Sequence, residues 1–199
     1  MGSELELSEL RGRVSGPVFT PEDEGFAEEI ACFNLAISHS PDLVVGAESA
    51  EDIFEAVRFA ADNGLKISVQ ATGHTESTIT SGLLLTTKRM DAFEIDPEEK
   101  TVTAGAGVKW QPVIAAAAEY SLAPIAGSSP MVSMVGYLTG GGLGPLVRSH
   151  GFSSDYLIEA TVVTGSGETV TASADENQEL LWALRGGKYG LGIVASATV

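Results

Sequence analysis

The alternation of apolar and polar positions divides the 199-residue chain into short strands and helices. Thr20, Pro21 and Glu22 open a helix, since Thr20 can cap it, Pro21 suits its first position, and Asp23 and Glu24 favour the positive end of its dipole. Phe26, Ile30, Phe33 and Ile37 follow at helical spacing until His39, Ser40 and Pro41 stop the run. Residues 41–45 read as a strand. A second helix starts at Ser49 to Asp52, turns Ile53, Val57, Ala60 and Ala61 to one side, and ends at Gly64. Residues 65–70 are a further strand, and 71–82 are polar and rich in Gly, Thr and Ser. This order is a βαβ-type unit, and its loop emerges at a strand's carboxyl end, where ligands bind in open α/β sheets.

Strands follow at 83–87 and 92–95, with a break at Asp96 and Pro97, and the alternating run 101–104 is another. Residues 110–120 form a helix with Trp110, Val113, Ile114 and Ala117 inward. From 123 to 144 the chain turns to Gly, Ser, Pro and small apolar residues. Residues 156–165 and 168–172 make a hairpin across Gly165, Ser166 and Gly167. A helix at 176–184 and a strand at 192–199 complete the chain. Residues 1–17 read as an N-terminal arm, mobile over 1–16. Lobe 1 spans about 38–97 and lobe 2 about 98–199, and no internal repeat is visible.

Composition sharpens the picture. Glycine accounts for 23 of the 199 residues, above a usual level of about 7%, and clusters at 136–144, 165–167 and 186–192. Such clusters mark tight turns and close approach of main chain to a ligand. The net charge of −16, without a basic cluster, disfavours nucleic acid and suits a solvated, repulsive surface. Cys32 is the only cysteine, which excludes internal disulfides and cysteine-ligated zinc; it reads as a core thiol. No metal site is expected. The acidic start lacks a signal-peptide pattern, and no run approaches the roughly 18 apolar residues of a membrane span. A cytoplasmic location with no membrane partner is the expectation.

Three segments carry candidate chemistry. In the first, strand residues Ser68, Val69 and Gln70 run into Ala71, Thr72, Gly73, His74 and Thr75. Small side chains there let backbone N–H groups converge on an anion, as in phosphate-binding nests. His74 could serve as base, metal ligand, covalent attachment point or structural hydrogen-bonder. The second segment, Gly136 to Pro145, contains G-x-x-x-G-G-G-x-G after Ser128, Ser129 and Pro130. It is neither a dinucleotide fingerprint on a βαβ unit nor a Walker loop. Its glycines let main chain lie flat against a pyrophosphate or a flavin ring, or form a hinge. In the third, Trp182 to Val194, a helix breaks at Gly186 and Gly187 and a second glycine turn enters a strand. There Trp182 reads as core ahead of a stacking platform, and Arg185 as half of a salt bridge to an acidic neighbour ahead of a phosphate partner.

Taken together, the chain resembles the FAD-linked oxidases of the vanillyl-alcohol-oxidase type, in particular the berberine-bridge-enzyme branch. The carriers are Gly73-His74, residues 127–144, the set Arg148, Gly151, Phe152 and Asp155, and the run Trp182 to Gly187. Residues 41–45, 50–61 and 102–110 add to them, as does the lead-in Pro21 to Phe26 with Asn34. The resemblance spans about 18–199. It implies an α+β, PCMH-type FAD-binding domain over 18–199, made of two α/β lobes with FAD between them. It places His74 as the covalent tether to the flavin 8α-methyl carbon, with backbone at 71–75, including Ala71, Thr72, Gly73 and Thr75, at the pyrophosphate and Gln70 among the cofactor contacts. Ser129, Val132, Ser133, Gly136, Tyr137, Gly141, Gly142 and Leu143 line the pyrophosphate and ring system. Gly192 and Ile193 touch the adenine or ribitol region.

Departures from the family pattern carry their own expectations. Ser129 stands where some members have a second, cysteinyl link, so a single tether is expected. The usual Arg-Gly-Gly-Gly-His reads Gln70-Ala71-Thr72-Gly73-His74, which removes a charge partner and constrains backbone. Family members continue past the position of Val199 into a substrate-binding domain that supplies the catalytic base, so none is assigned here. A truncated product, a module completed by a separate chain and a stand-alone flavin binder all fit. The function expected is that of an oxidoreductase component accepting hydride from an alcohol, sugar or amine carbon. The alternative is a non-catalytic FAD-binding or interaction protein, with an apolar face favouring homodimerisation.

Overall fold

A computed structural model of the chain describes residues 4–74 and 78–199. Its contacts divide into two compact units, residues 1–89 with 165–168 and residues 90–164 with 169–199.

The first unit is built on a four-stranded sheet in the order β1-β2-β4-β3, from β1 (Val18–Phe19), β2 (Leu43–Gly46), β3 (Ile67–Gln70) and β4 (Leu83–Thr86). β2, β4 and β3 are parallel, and β1 joins β2 antiparallel. Parallel strands covered on both faces need unbroken apolar runs; accordingly Leu43, Val44, Val45, Leu83, Leu84 and Leu85 are all buried. Helix α3 (Ala50–Asp62) links β2 to β3. Ser49 accepts the Asp52 N–H at its start, and Ile53, Ala56, Val57 and Ala60 form its buried face.

Two expectations fail in this unit. The residues expected as a mobile arm contain helix α1 (Glu4–Arg13), which contacts α3 and buries Leu10, and Val14 just beyond it is buried too. Asp52, 1% exposed, accepts N–H bonds from Ser15, Gly16 and Glu48 and so pins the end of that segment to the start of α3. The long helix expected from Thr20 to Ile37 shrinks to α2 (Phe26–Glu29). Thr20 instead closes a turn, its N–H and hydroxyl both donating to Asp23. Beyond Ile30, the Phe33 and Asn34 N–H groups go to the Thr72 and Gly73 carbonyls, each at 3.1 Å, rather than back along a helix.

The second unit carries a fully antiparallel five-stranded sheet, order β5-β6-β9-β7-β8. Its strands are β5 (Phe93–Asp96), β6 (Thr101–Gly105), β7 (Glu159–Val163), β8 (Thr169–Ala172) and β9 (Ile193–Thr198). Alternation along β6 and β9 leaves one buried face. Helix α4 (Trp110–Glu119) adds Trp110 and Val113 to a cluster with Val102, Met134 and Leu138. Ile114, expected inward, is one position off that stripe and 37% exposed. Helix α7 (Gln178–Leu184) buries Leu181 and Leu184. Its spacing turns Trp182 outward, 77% exposed, against the expectation of core. Arg185 makes no salt bridge among the described residues; its guanidinium donates to the Leu157 carbonyl at 2.7 and 3.1 Å.

The glycine-rich stretch, to which its composition assigns no element, contains a helix, α5 (Met134–Thr139). Ser133 caps it by accepting the Gly136 N–H, and Met134, Val135 and Leu138 are its anchors. A short helix α6 (Val147–His150) and a 3₁₀ turn (Ser153–Tyr156) follow. No helix of the described residues is long and apolar enough to cross a membrane.

Candidate functional site

In the first unit the loop leaving β3 holds the candidate histidine. The His74 imidazole stacks on the Phe33 ring, centroids 3.9 Å apart and planes 11° off parallel. The Thr72 hydroxyl lies 2.8 Å from its Nδ1. Residues 30–34 run alongside this loop and are laced to it by the two backbone bonds above. Gly73 (φ +68°) sits so close to that strip that a Cβ there would come 2.6 Å from Cys32 Cα. Glycine at 73 is thus demanded by internal packing as well as by its left-handed backbone.

A directional chain of side-chain bonds braces the strip from behind. The Ile79 N–H donates to His39 Nδ1 at 3.0 Å, so in a neutral ring the proton sits on Nε2. Nε2 lies 3.0 Å from Cys32 Sγ and donates to it. The thiol in turn donates to Gln70 Oε1 at 3.4 Å, and Gln70 Nε2 donates to the Ala31 carbonyl at 3.1 Å. Cys32, His39 and Gln70 are all buried, and burial pushes the Cys32 thiol up from its ordinary value. Gln70, expected among the cofactor contacts, therefore commits its side chain to this brace. Ala71, Thr72 and His74 are half-buried. Thr75, expected in the same cradle, lies outside the described residues.

The segment expected to line the cofactor in the second unit has a comparable internal logic. Tyr137 lies edge-on to Trp110, centroids 6.0 Å apart. A Cβ at Gly127 or Gly144 would meet its ring or hydroxyl at 2.8 Å, and one at Gly142 (φ +71°) would strike Ser153 at 2.6 Å. Tyr137 is thus held by these glycines. Ser133 is spent on capping α5 and on donating to the Ala106 carbonyl. Ser129, Val132 and Gly136 are half-buried, and Leu143 is 70% exposed. Gly141 differs from its neighbours: its φ is +100° and nothing lies within 4 Å of where a Cβ would stand, while its N–H donates to the Leu138 carbonyl at 3.0 Å and its carbonyl accepts the Ser154 N–H at 3.1 Å. Lys188 donates to the Gly136 carbonyl at 3.2 Å, and burial lowers its pKa. Gly192 (φ +119°) abuts Val162 and Val163, and Ile193 points into the sheet core.

Sequence reasoning missed Phe33, Cys32 and His39 as parts of the loop's support. Phe33 carried a signal only as a helix-face residue. His39 carried one only as a stop.

The chain carrying this arrangement is similar to proteins of a known class. Residues 41–173 fit the family of the FAD binding domain. The chain is 34% identical to (R)-6-hydroxynicotine oxidase of Paenarthrobacter nicotinovorans over 189 residues, which are 94% of this chain and 41% of that protein. The crystal structure of 6-hydroxy-D-nicotine oxidase from Arthrobacter nicotinovorans superimposes with a TM-score of 0.89 at 34% identity, over 94% of this chain and 42% of that one. Glucooligosaccharide oxidase from Acremonium strictum, described with a 6-S-cysteinyl, 8α-N1-histidyl FAD, gives 0.84 at 29% identity, over 97% and 42%. The chain belongs to the FAD binding domain family of the FAD-linked oxidoreductases, with the α+β fold of its PCMH-type members and FAD as its cofactor. It spans about two-fifths of the length of the relatives it matches.

The residues present fit that cofactor. In the first unit a histidine is held between a phenyl ring and a hydroxyl on a loop of small residues.

Proposed function

We propose that this chain is the flavin-holding part of an FAD-linked oxidase, with its FAD joined to His74, and that the whole protein takes hydride from an alcohol, sugar or amine carbon. The observation that carries the reading is the clamping of His74 between Phe33 and Thr72, in a chain akin to an oxidase with a histidyl FAD. When bound, the flavin supplies the two-electron chemistry, and the protein's share is binding and orientation. Attachment forms one N–C bond from the imidazole to the 8α carbon and removes one hydrogen from each. The two electrons and two protons pass to an acceptor such as dioxygen, which becomes hydrogen peroxide.

The relatives named as acting on hydroxynicotine and glucooligosaccharides support amine and sugar carbons as the class of donor. A single tether follows from the cysteine inventory. The only cysteine, Cys32, is buried and bonded to His39 and Gln70, and position 129 is a serine. Residues 129–143 and 192–193 enter this reading as main-chain contacts to the cofactor.

The test is flavin retention. Protein incubated with FAD in air, precipitated with acid and run on a denaturing gel is expected to keep yellow fluorescence, and His74→Ala to lose it. Equal fluorescence in the variant, or none in the unaltered chain, contradicts the tether.

A further inference from the structure

We infer that Phe33 and Thr72 are positioning residues for His74: the phenyl ring fixes the imidazole plane and the hydroxyl engages Nδ1. This deepens the tether reading and rests on it. An imidazole on a loop normally samples several rotamers and both tautomers; for a link like the N1-histidyl FAD of the related oxidase, the Thr72 hydroxyl holds Nδ1 beforehand and lets it go as the N–C bond forms. Two contacts from different parts of the chain remove that freedom here. The near-parallel stack at 3.9 Å covers one ring face, and the bond at 2.8 Å fixes rotation about the Cβ–ring bond.

The placement of Phe33 is itself built in. Its N–H is held by the Thr72 carbonyl, and its neighbour Cys32 is the centre of the buried His39–Cys32–Gln70 brace. Gly73 lets the two segments touch. The lead-in segment at 30–34 is therefore part of the flavin site, although it lies about 40 residues from the histidine in sequence. Thr72 supplies the hydroxyl that the loop backbone alone would lack.

The experiment compares Thr72→Val, Thr72→Ser, Phe33→Ala and Phe33→Tyr with the unaltered full-length chain. Protein labelled with ¹⁵N at histidine is read by long-range proton–nitrogen NMR before FAD is added, with His74→Ala assigning the signal. The rate of acid-stable flavin incorporation is then followed. Thr72→Val is expected to change the His74 tautomer ratio and slow incorporation roughly fivefold or more, the scale of one hydrogen bond, while Thr72→Ser restores both. Phe33→Ala is expected to move the imidazole titration and slow incorporation, with Phe33→Tyr close to the unaltered protein. Unchanged tautomer ratio and titration in Thr72→Val and Phe33→Ala overturn the inference. So does loss of both readouts in the conservative variants alike. If the unaltered chain takes up no acid-stable flavin, the tether reading fails, and the NMR comparison still decides whether the two residues position His74.

Discussion

At the scale of single residues, the site is held by contacts that leave little slack. Adding a methyl at Gly73 combines a left-handed backbone with a Cβ 2.6 Å from Cys32 Cα. Strain of this kind costs about 1–3 kcal/mol and overpacking a similar amount. Gly73→Ala is therefore expected to lower the melting temperature and to weaken acid-stable flavin uptake together; a stable variant with normal uptake would show that the strip at 30–34 yields freely. Cys32 leads to a second expectation. Its thiol is buried, hydrogen-bonded and pushed up in pKa by desolvation, and the reactive species is the thiolate. A thiol reagent should label it only when the protein unfolds, and prompt labelling of the folded chain would mean that the brace is not formed.

Between elements, the first unit is tied together by buried carboxylates. Glu29 of α2, 3% exposed, accepts from the Thr86 hydroxyl just inside β4, forks onto Arg89 at 2.7 and 2.8 Å, and pairs with Lys88 at 3.0 Å. Burial pushes its carboxyl up, but the bonds from Arg89, Thr86 and Lys88 outweigh that and hold it at about 2, below its ordinary 4.5. A depressed carboxylate stabilises the fold above its unfolded pKa, and that contribution disappears as pH falls from about 4.5 towards about 2. Melting temperatures should drop across that window and drop less steeply in Glu29→Gln. At neutral pH the variant should be destabilised by about 1–3 kcal/mol, because Thr86, Lys88 and Arg89 lose a charged acceptor while both cations keep a solvent-facing side. Parallel slopes in the two proteins would contradict this assignment.

The same elements show what the sequence makes legible. β2 and β4 are readable because parallel strands covered on both faces write themselves as unbroken apolar runs, α3 because Ser49 and Gly64 punctuate it, and the edge strand β3 because it follows that helix directly. α2 is misread because the apolar spacing from Phe26 to Ile37 fits a helix face equally well. Only the partnership with Thr72 and Gly73, residues distant in sequence, pulls Phe33 and Asn34 away. α5 hides in its glycines, although Ser133 with Met134, Val135 and Leu138 offered a cap and an anchor stripe. The loop alone leaves His74 open among base, metal ligand, attachment point and structural hydrogen-bonder, and only the resemblance to the FAD-linked oxidases singles it out as a tether. Phe33 stacked on it and the His39–Cys32–Gln70 brace were not legible, since each joins residues 38 or more positions apart or has no local signal.

For the whole molecule, the charge of −16 sets how an anionic dinucleotide arrives. Repulsion between like charges is screened over about 10 Å at 0.1 M salt. The association rate of FAD should therefore rise when salt increases from about 10 mM to about 150 mM. A falling rate would mean that a local cation such as Lys188 dominates the approach.

The central claim is that His74 carries the cofactor. Peptide mapping by mass spectrometry, after incubating the full chain with FAD in air, tests it most directly. The account predicts one modified peptide, the one containing His74, heavier by one FAD less two hydrogens. An unmodified His74 peptide, or the same mass on a different residue, would contradict it.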